Sequence, residues 1–173
     1  MNVVLDKFLE TDFSSDYIQL QNEYLSTNVS YFDHWLSEDE YQSADIVCYS
    51  DTESNIDNIK LFEEIQSQFI SFYELLFKLA GENVYVLLDR YWSKHIGMPS
   101  KIESYDAYVT YIIGALKEKQ LCSLFFPDLN CLILTGYDLT HEFYILKDSS
   151  NNELNVLEKI KNSANAVGLY ILK

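Results

Sequence analysis

The run from Asp57 to Ala80, "DNIKLFEEIQSQFISFYELLFKLA", constrains the fold more than any other stretch. Phe62, Ile65, Phe69, Phe72, Tyr73, Leu76 and Phe77 recur at three- and four-residue intervals, which places them on one broad stripe of a helix. Asp57 or Asn58 is placed to cap its start, Glu63 and Glu64 suit the positive end of its dipole, and Gly81 suits its end. At about 1.5 Å per residue such a helix spans roughly 36 Å. Its aromatic stripe needs an apolar surface to cover it. "VYVLLDRYW" follows at once, and its nearly unbroken apolar, β-favouring character predicts a strand covered on both faces. Glu74, Lys78 and Glu82 interrupt the combined stretch, so a buried helix and strand explain it better than a membrane span.

The remaining periodicities build around that spine. "VVLDKFLE" and "DYIQLQNEYL" read as short opening helices, the second carrying Tyr17, Leu20, Tyr24 and Leu25 near helical spacing. "YFDHWLSEDEYQSA" reads as a further helical turn or an ordered loop, and "DIVCYS" as a short strand. "SYDAYVTYIIGALKEKQ" predicts a helix with Ser104 as N-cap and lysines suited to the dipole at its end. Gly114 inside it costs about 1 kcal/mol relative to alanine, a cost consistent with close packing. Three strands, "LCSLFF", "CLILTG" and "EFYILK", are joined by loops of hairpin length and predict a meander. A last helix, "NELNVLEKIKNSANAV", ends at Gly168 before a closing strand, "LYILK". The expectation is one α+β domain over residues 1–173, with a mostly antiparallel sheet packed by about three main helices. An acidic region, 1–57, precedes a helix–sheet core, 58–173.

With 48% hydrophobic and 15% aromatic residues, and only five glycines and two prolines, the chain has the material for an ordered core and no linker. "MNVVLDKFLE" lacks the basic start and unbroken apolar run of a signal peptide, so the expected location is the cytoplasm. Cys48, Cys122 and Cys131 are too few and too scattered for a disulfide framework or a zinc site. If "PDLN" is a hairpin loop, Phe126 faces Cys131 and Cys122 faces Thr135. The two sulfurs then lie roughly 13 Å apart along the strand, which predicts free thiols.

The charge is regional. Residues 1–80 hold sixteen carboxylates against three lysines, a net of −13; residues 81–173 hold eleven against nine basic residues, a net of −2, completing the −15 of the chain. "FDHWLSEDEYQSADIVCYSDTESNID", 32–57, contains eight carboxylates and no lysine or arginine, and neither occurs anywhere from 8 to 59. Tyr24, Tyr31, Phe32, Trp35, Tyr41 and Tyr49 are interleaved with these acids. Rings supply contact area and charges supply steering and register, so the combination reads as a protein-binding surface. The expected contact residues are Asp33, Trp35, Glu38, Asp39, Glu40, Tyr41, Asp45, Asp51 and Glu53.

No catalytic or metal constellation is legible. Phosphate-loop, nucleophile-elbow and EF-hand spacings are lacking. Asp138, His141 and Glu142 gather ligand types in "GYDLTHEF", but at no established metal spacing, and a polar hairpin tip explains them. A Cys131–His141 pair is separated by the hairpin, on the order of 17 Å. "DRYWSKHIG" collects Arg90, Trp92, Lys94 and His95, a cluster able to hold a phosphate or stack a base. The net charge of −15 nevertheless disfavours nucleic acid as a direct partner.

The stretch "SLFFPDLNCLILTGYDLTHEFYIL", an aromatic meander followed by a short helix and "AVGLYILK", together with the acidic and enzyme-poor character, resembles the small immunity proteins of bacterial polymorphic and contact-dependent toxin systems. The resemblance is one of general style. It implies a protein that binds one toxin domain, often a basic nuclease, and covers its active site without a cofactor. A protein-binding adaptor or regulatory module whose partner is not a toxin is the second expectation. An enzyme working through Arg90, Trp92, His95 or His141 is the third.

Overall fold

The structure, a computed structural model, describes residues 3–11, 17–52, 55–88, 98–136, 138–147 and 152–172. The elements run α1 (Val3–Glu10), α2 (Tyr17–Glu23), β1 (Tyr24–Ser30), α3 (Glu38–Ser43), α4 (Ile56–Leu79), β2 (Tyr85–Leu88), β3 (Ser100–Lys101), α5 (Tyr105–Leu116), β4 (Cys122–Phe126), β5 (Cys131–Leu134), β6 (Thr140–Leu146), α6 (Asn152–Ala166) and β7 (Tyr170–Leu172). This is a mixed α+β fold around one antiparallel sheet of order β3-β2-β4-β5-β6-β1-β7.

Strict alternation assigns the side chains of the sheet to two cores. Val86, Cys122, Leu124, Phe126, Cys131, Ile133, Phe143 and Ile145 face one way, where the stripe of α4 packs on them together with Tyr108 and Ile112 of α5 and Val156 and Ile160 of α6. Leu87, Phe125, Leu132 and Leu134 face the other way, under Leu5 and Phe8 of α1, with Leu20 and Tyr24. β2 is therefore covered on both faces, as its unbroken apolar run demands. All seven stripe residues of α4 are buried. Asn55 caps the helix by accepting from the Asp57 N–H, two residues before the earlier of the two expected capping residues. Gly81, at φ 58, turns the chain out of the helix.

The meander has the expected register: Phe126 pairs with Cys131, and the Thr135 hydroxyl reaches the Cys122 backbone. The three cysteines are free, Cys122 and Cys131 buried. Burial pushes the Cys122 thiol up to about 12 and the Cys131 thiol up as well, so both are inert. Ser104 caps α5 as expected. A Cβ on Gly114 would meet Gln120 at an ordinary 3.9 Å, so packing does not require glycine there.

Two expectations are corrected. Tyr24 and Leu25 do not continue a helix; they begin β1, an interior strand paired with both β6 and β7. "YLSTNVS" is too polar to announce itself, and it is stabilised by pairing, including the Ser30–Thr140 hydroxyl contact at 2.8 Å. "DIVCYS" is not a strand. The Asp51 carboxylate accepts from the backbone N–H groups of Val47 and Cys48, which satisfies those donors locally, and Tyr49–Thr52 forms a 3-10 turn.

Candidate functional site

The acidic segment leaves the sheet at the end of β1. The Tyr31 N–H donates to the Leu139 carbonyl at 3.1 Å, the Phe32 N–H donates to the Ser30 hydroxyl, and the two rings pack edge to face. Beyond them the chain turns outward. Asp33, Trp35, Glu38, Asp39, Glu40, Tyr41 and Asp45 are all exposed, Trp35 by 53% and Tyr41 by 46%.

Helix α3 has no fully buried residue, so packing alone does not hold it. A capping box does. The Ser37 hydroxyl accepts from the Glu40 N–H, while Glu40 Oε2 accepts from the Ser37 N–H at 2.9 Å and from its hydroxyl at 2.7 Å. Glu38, Asp39 and Glu40 occupy the first turn, where the helix dipole favours negative charge. His34 joins the cap, with Nδ1 2.6 Å from Asp33 Oδ1 and Nε2 3.0 Å from Glu40 Oε1. The hydrogen bond to Asp33, and after it the one to Glu40, raises the pKa of His34 above its ordinary value. The Ser37 hydroxyl and backbone, then His34, hold Glu40 down at about 2.

The segment is stitched to the body by residues that do not face outward. Asp51 is half-buried; burial raises its pKa, but the N–H groups of Val47 and Cys48 outweigh that and bring it below the usual range. The Asn58 side chain donates to the carbonyls of Asp45 and Asp51. The Tyr49 ring packs edge to face on Phe62, its N–H donates to Glu118 Oε1, and Lys117 sits 5.5 Å from its centroid. Among the interleaved rings, then, Trp35 and Tyr41 face solvent. Tyr24 is buried, and Tyr31, Phe32 and Tyr49 are packed partly into the core. Glu53 lies outside the described residues.

No lysine reaches the acids at 33–51 among the described residues. Their ion-pair contacts there are those of His34, whereas Lys7 pairs with Glu23, Lys60 with Asp57 and Lys78 with Glu74. Partial burial raises the Tyr41 hydroxyl pKa, and after it the charges of Cys48, Asp138, Asp51 and Glu118. Asp138 and Glu118 thus approach α3 from the β5–β6 loop and from the turn after α5. Nothing local in the sequence marks these two residues, because only the tertiary fold brings them near Tyr41.

The other candidate groupings disperse. His141 does not sit at a polar hairpin tip. It is 1% exposed, lies against Phe69, and has Nδ1 2.5 Å from the Tyr73 hydroxyl. Glu142 points to the opposite face of β6 and accepts from the Tyr144 hydroxyl at 2.7 Å, so His141 and Glu142 do not converge. Ile145, not His141, faces Cys131. No group of three His, Cys, Asp or Glu side chains is arranged to hold a metal among the described residues. Arg90, Trp92, Lys94 and His95 lie outside those residues. A cleft of about 250 Å³ between the ends of α4 and α5 is lined by Glu74, Lys78, Glu82, Glu103 and Tyr105, with Lys78 already bound to Glu74 at 2.6 Å. Among the described residues no helix is long and apolar enough to cross a membrane. Comparison with protein-family models, curated proteins and solved structures found no match in any of the three.

Proposed function

We propose that this chain is a binding protein that docks on a cationic partner through residues 33–45, and that it acts as the immunity proteins it resembles do, by covering the active site of a basic toxin domain. The observation that carries this reading is a solvent-facing segment whose acids meet no lysine among the described residues and whose two outermost rings are Trp35 and Tyr41. A nuclease cleft is cationic because it holds phosphates, so a carboxylate-rich surface is its electrostatic complement. Asp33, Glu38, Asp39 and Asp45 supply long-range attraction, Trp35 and Tyr41 supply contact area, and the capping box fixes their relative positions before the partner arrives.

The test is direct binding to the purified product of the gene adjoining this one. Saturable one-to-one binding, inhibition of that product's activity, and loss of both on Trp35→Ala plus Tyr41→Ala are expected. Binding that survives those substitutions and also reversal of Asp33, Glu38, Asp39 and Asp45 to lysine contradicts the docking surface. Absence of binding to the adjoining product, with surface-dependent binding to a different cationic protein, replaces the immunity reading with the adaptor.

A further inference from the structure

His34 lies within the proposed surface, and both of its ring nitrogens contact carboxylate oxygens, Asp33 Oδ1 at 2.6 Å and Glu40 Oε1 at 3.0 Å. A neutral imidazole carries one N–H, so it can donate to only one of these; the other contact would set a nitrogen lone pair against a carboxylate. The two short contacts together require the doubly protonated ring. Glu40 is at the same time half of the capping box that holds α3, and α3 has no fully buried residue. A six-residue helix is far below the length that is stable alone.

We infer that His34 is a protonation-operated clamp on the acidic docking segment: as an imidazolium it ties Asp33 to the cap of α3, and on losing its proton it releases one of the two carboxylates. The groups that face the ring are Asp33 and Glu40, both acidic and both exposed, with the Ser37 hydroxyl on the far oxygen of Glu40. The shifts set the working range. His34 is raised by its two carboxylates, so the clamp is complete below the ordinary histidine value of 6.5 and opens as pH rises through the higher value of the folded protein. Glu40 is lowered to about 2, so the acid side of the clamp persists until pH falls below the ordinary 4.5 and is lost toward 2. Loss of that proton raises the negative charge of the segment by one and removes one of the two contacts that tie residues 33 and 34 to the cap of α3. This regulates the surface of the proposed function and depends on that reading only for its biological consequence; the clamp is measured without any partner.

The experiment is an NMR titration of the histidine rings from pH 5 to 9, with amide hydrogen exchange at Tyr41 and Ala44. Those two N–H groups bond to the carbonyls of Ser37 and Glu40 and report α3 alone. His34→Gln assigns the resonance. The expected result is a His34 midpoint above 6.5 that falls toward 6.5 in Asp33→Asn and in Glu40→Gln. Glutamine keeps the capping box but not the charge. Protection at Tyr41 and Ala44 is expected to drop across the same midpoint in the native chain and to show no such step in His34→Gln. A midpoint at or below 6.5, or protection that does not follow it, overturns the clamp. A clamp that titrates as described in a chain that binds no cationic protein overturns the docking reading and leaves the clamp standing.

Discussion

Acidification should destabilise this protein through one buried imidazole. His141 is enclosed by Phe69 and Tyr73, with Nδ1 on the Tyr73 hydroxyl and Nε2 buried without a hydrogen-bond partner. Burial lowers its pKa from 6.5 to about 3. The folded chain therefore refuses a proton that the unfolded chain accepts. The stability this neutral ring allows is fully present above 6.5 and is lost as pH falls from 6.5 toward 3. Each pH unit in that window is worth about 1.4 kcal/mol, so at pH 4.5 the loss is about 3 kcal/mol. The perturbation is a pH change from 7.5 to 4.5, applied to the native chain and to His141→Leu. The variant leaves the Tyr73 hydroxyl unpaired, which costs about 1–3 kcal/mol, but that cost does not vary with pH in this range. Both proteins carry the same 27 carboxylates, so the acid behaviour of the rest of the molecule cancels in the difference. Urea unfolding at pH 7.5, 5.5 and 4.5 should show the native chain more stable at neutral pH, with its advantage shrinking by about 3 kcal/mol at pH 4.5. Two curves that stay parallel with pH would refute the reasoning.

Other perturbations test separate parts of the account. Phe72→Ala, in a fully buried position against Tyr73 and Phe143, should cost about 3–5 kcal/mol in chemical unfolding, and a loss below 1 kcal/mol would place the core elsewhere. Ser37→Ala removes a cap and should abolish exchange protection at Tyr41 and Ala44 while leaving the midpoint of global unfolding nearly unchanged, because no residue of α3 is fully buried. Glu82, exposed at φ 62, occupies the left-handed region; Glu82→Gly should raise the melting temperature by about 2–4 °C, and a decrease would mean that its side chain contributes more than its backbone strain costs.

The sequence conveyed the fold where one periodicity dominated. α4 and the β4–β5–β6 meander are carried by large apolar residues at helical and strand spacing, and their register follows from hairpin-length loops. It failed at β1, whose serines, threonine and asparagine belong to a strand only because β6 and β7 lie on either side of it. It failed again at 45–50, where "DIVCYS" looked like a short strand but the Asp51 side chain satisfies the Val47 and Cys48 N–H groups first. The candidate surface was legible as charge, whereas the Ser37–Glu40 capping box that orders it emerged only from the structure. Nor was the sorting of its rings legible. Trp35 and Tyr41 face solvent while Tyr24, Tyr31, Phe32 and Tyr49 turn toward the core, and no local pattern separates the two sets. The approach of Asp138 and Glu118 to Tyr41 was equally hidden, since each arrives from a distant part of the chain.

The most direct test of the docking surface is the association rate with the adjoining gene's product, measured by stopped flow from about 20 to 500 mM salt. Long-range attraction raises association by roughly 10–1000-fold at low salt and is screened as the Debye length shrinks. A steep fall in association rate with salt is expected for the native chain, with a much flatter curve when Asp33, Glu38, Asp39 and Asp45 are reversed to lysine, and little change in dissociation. A native association rate that is level across the whole range, or one indifferent to those four reversals, would contradict the docking surface.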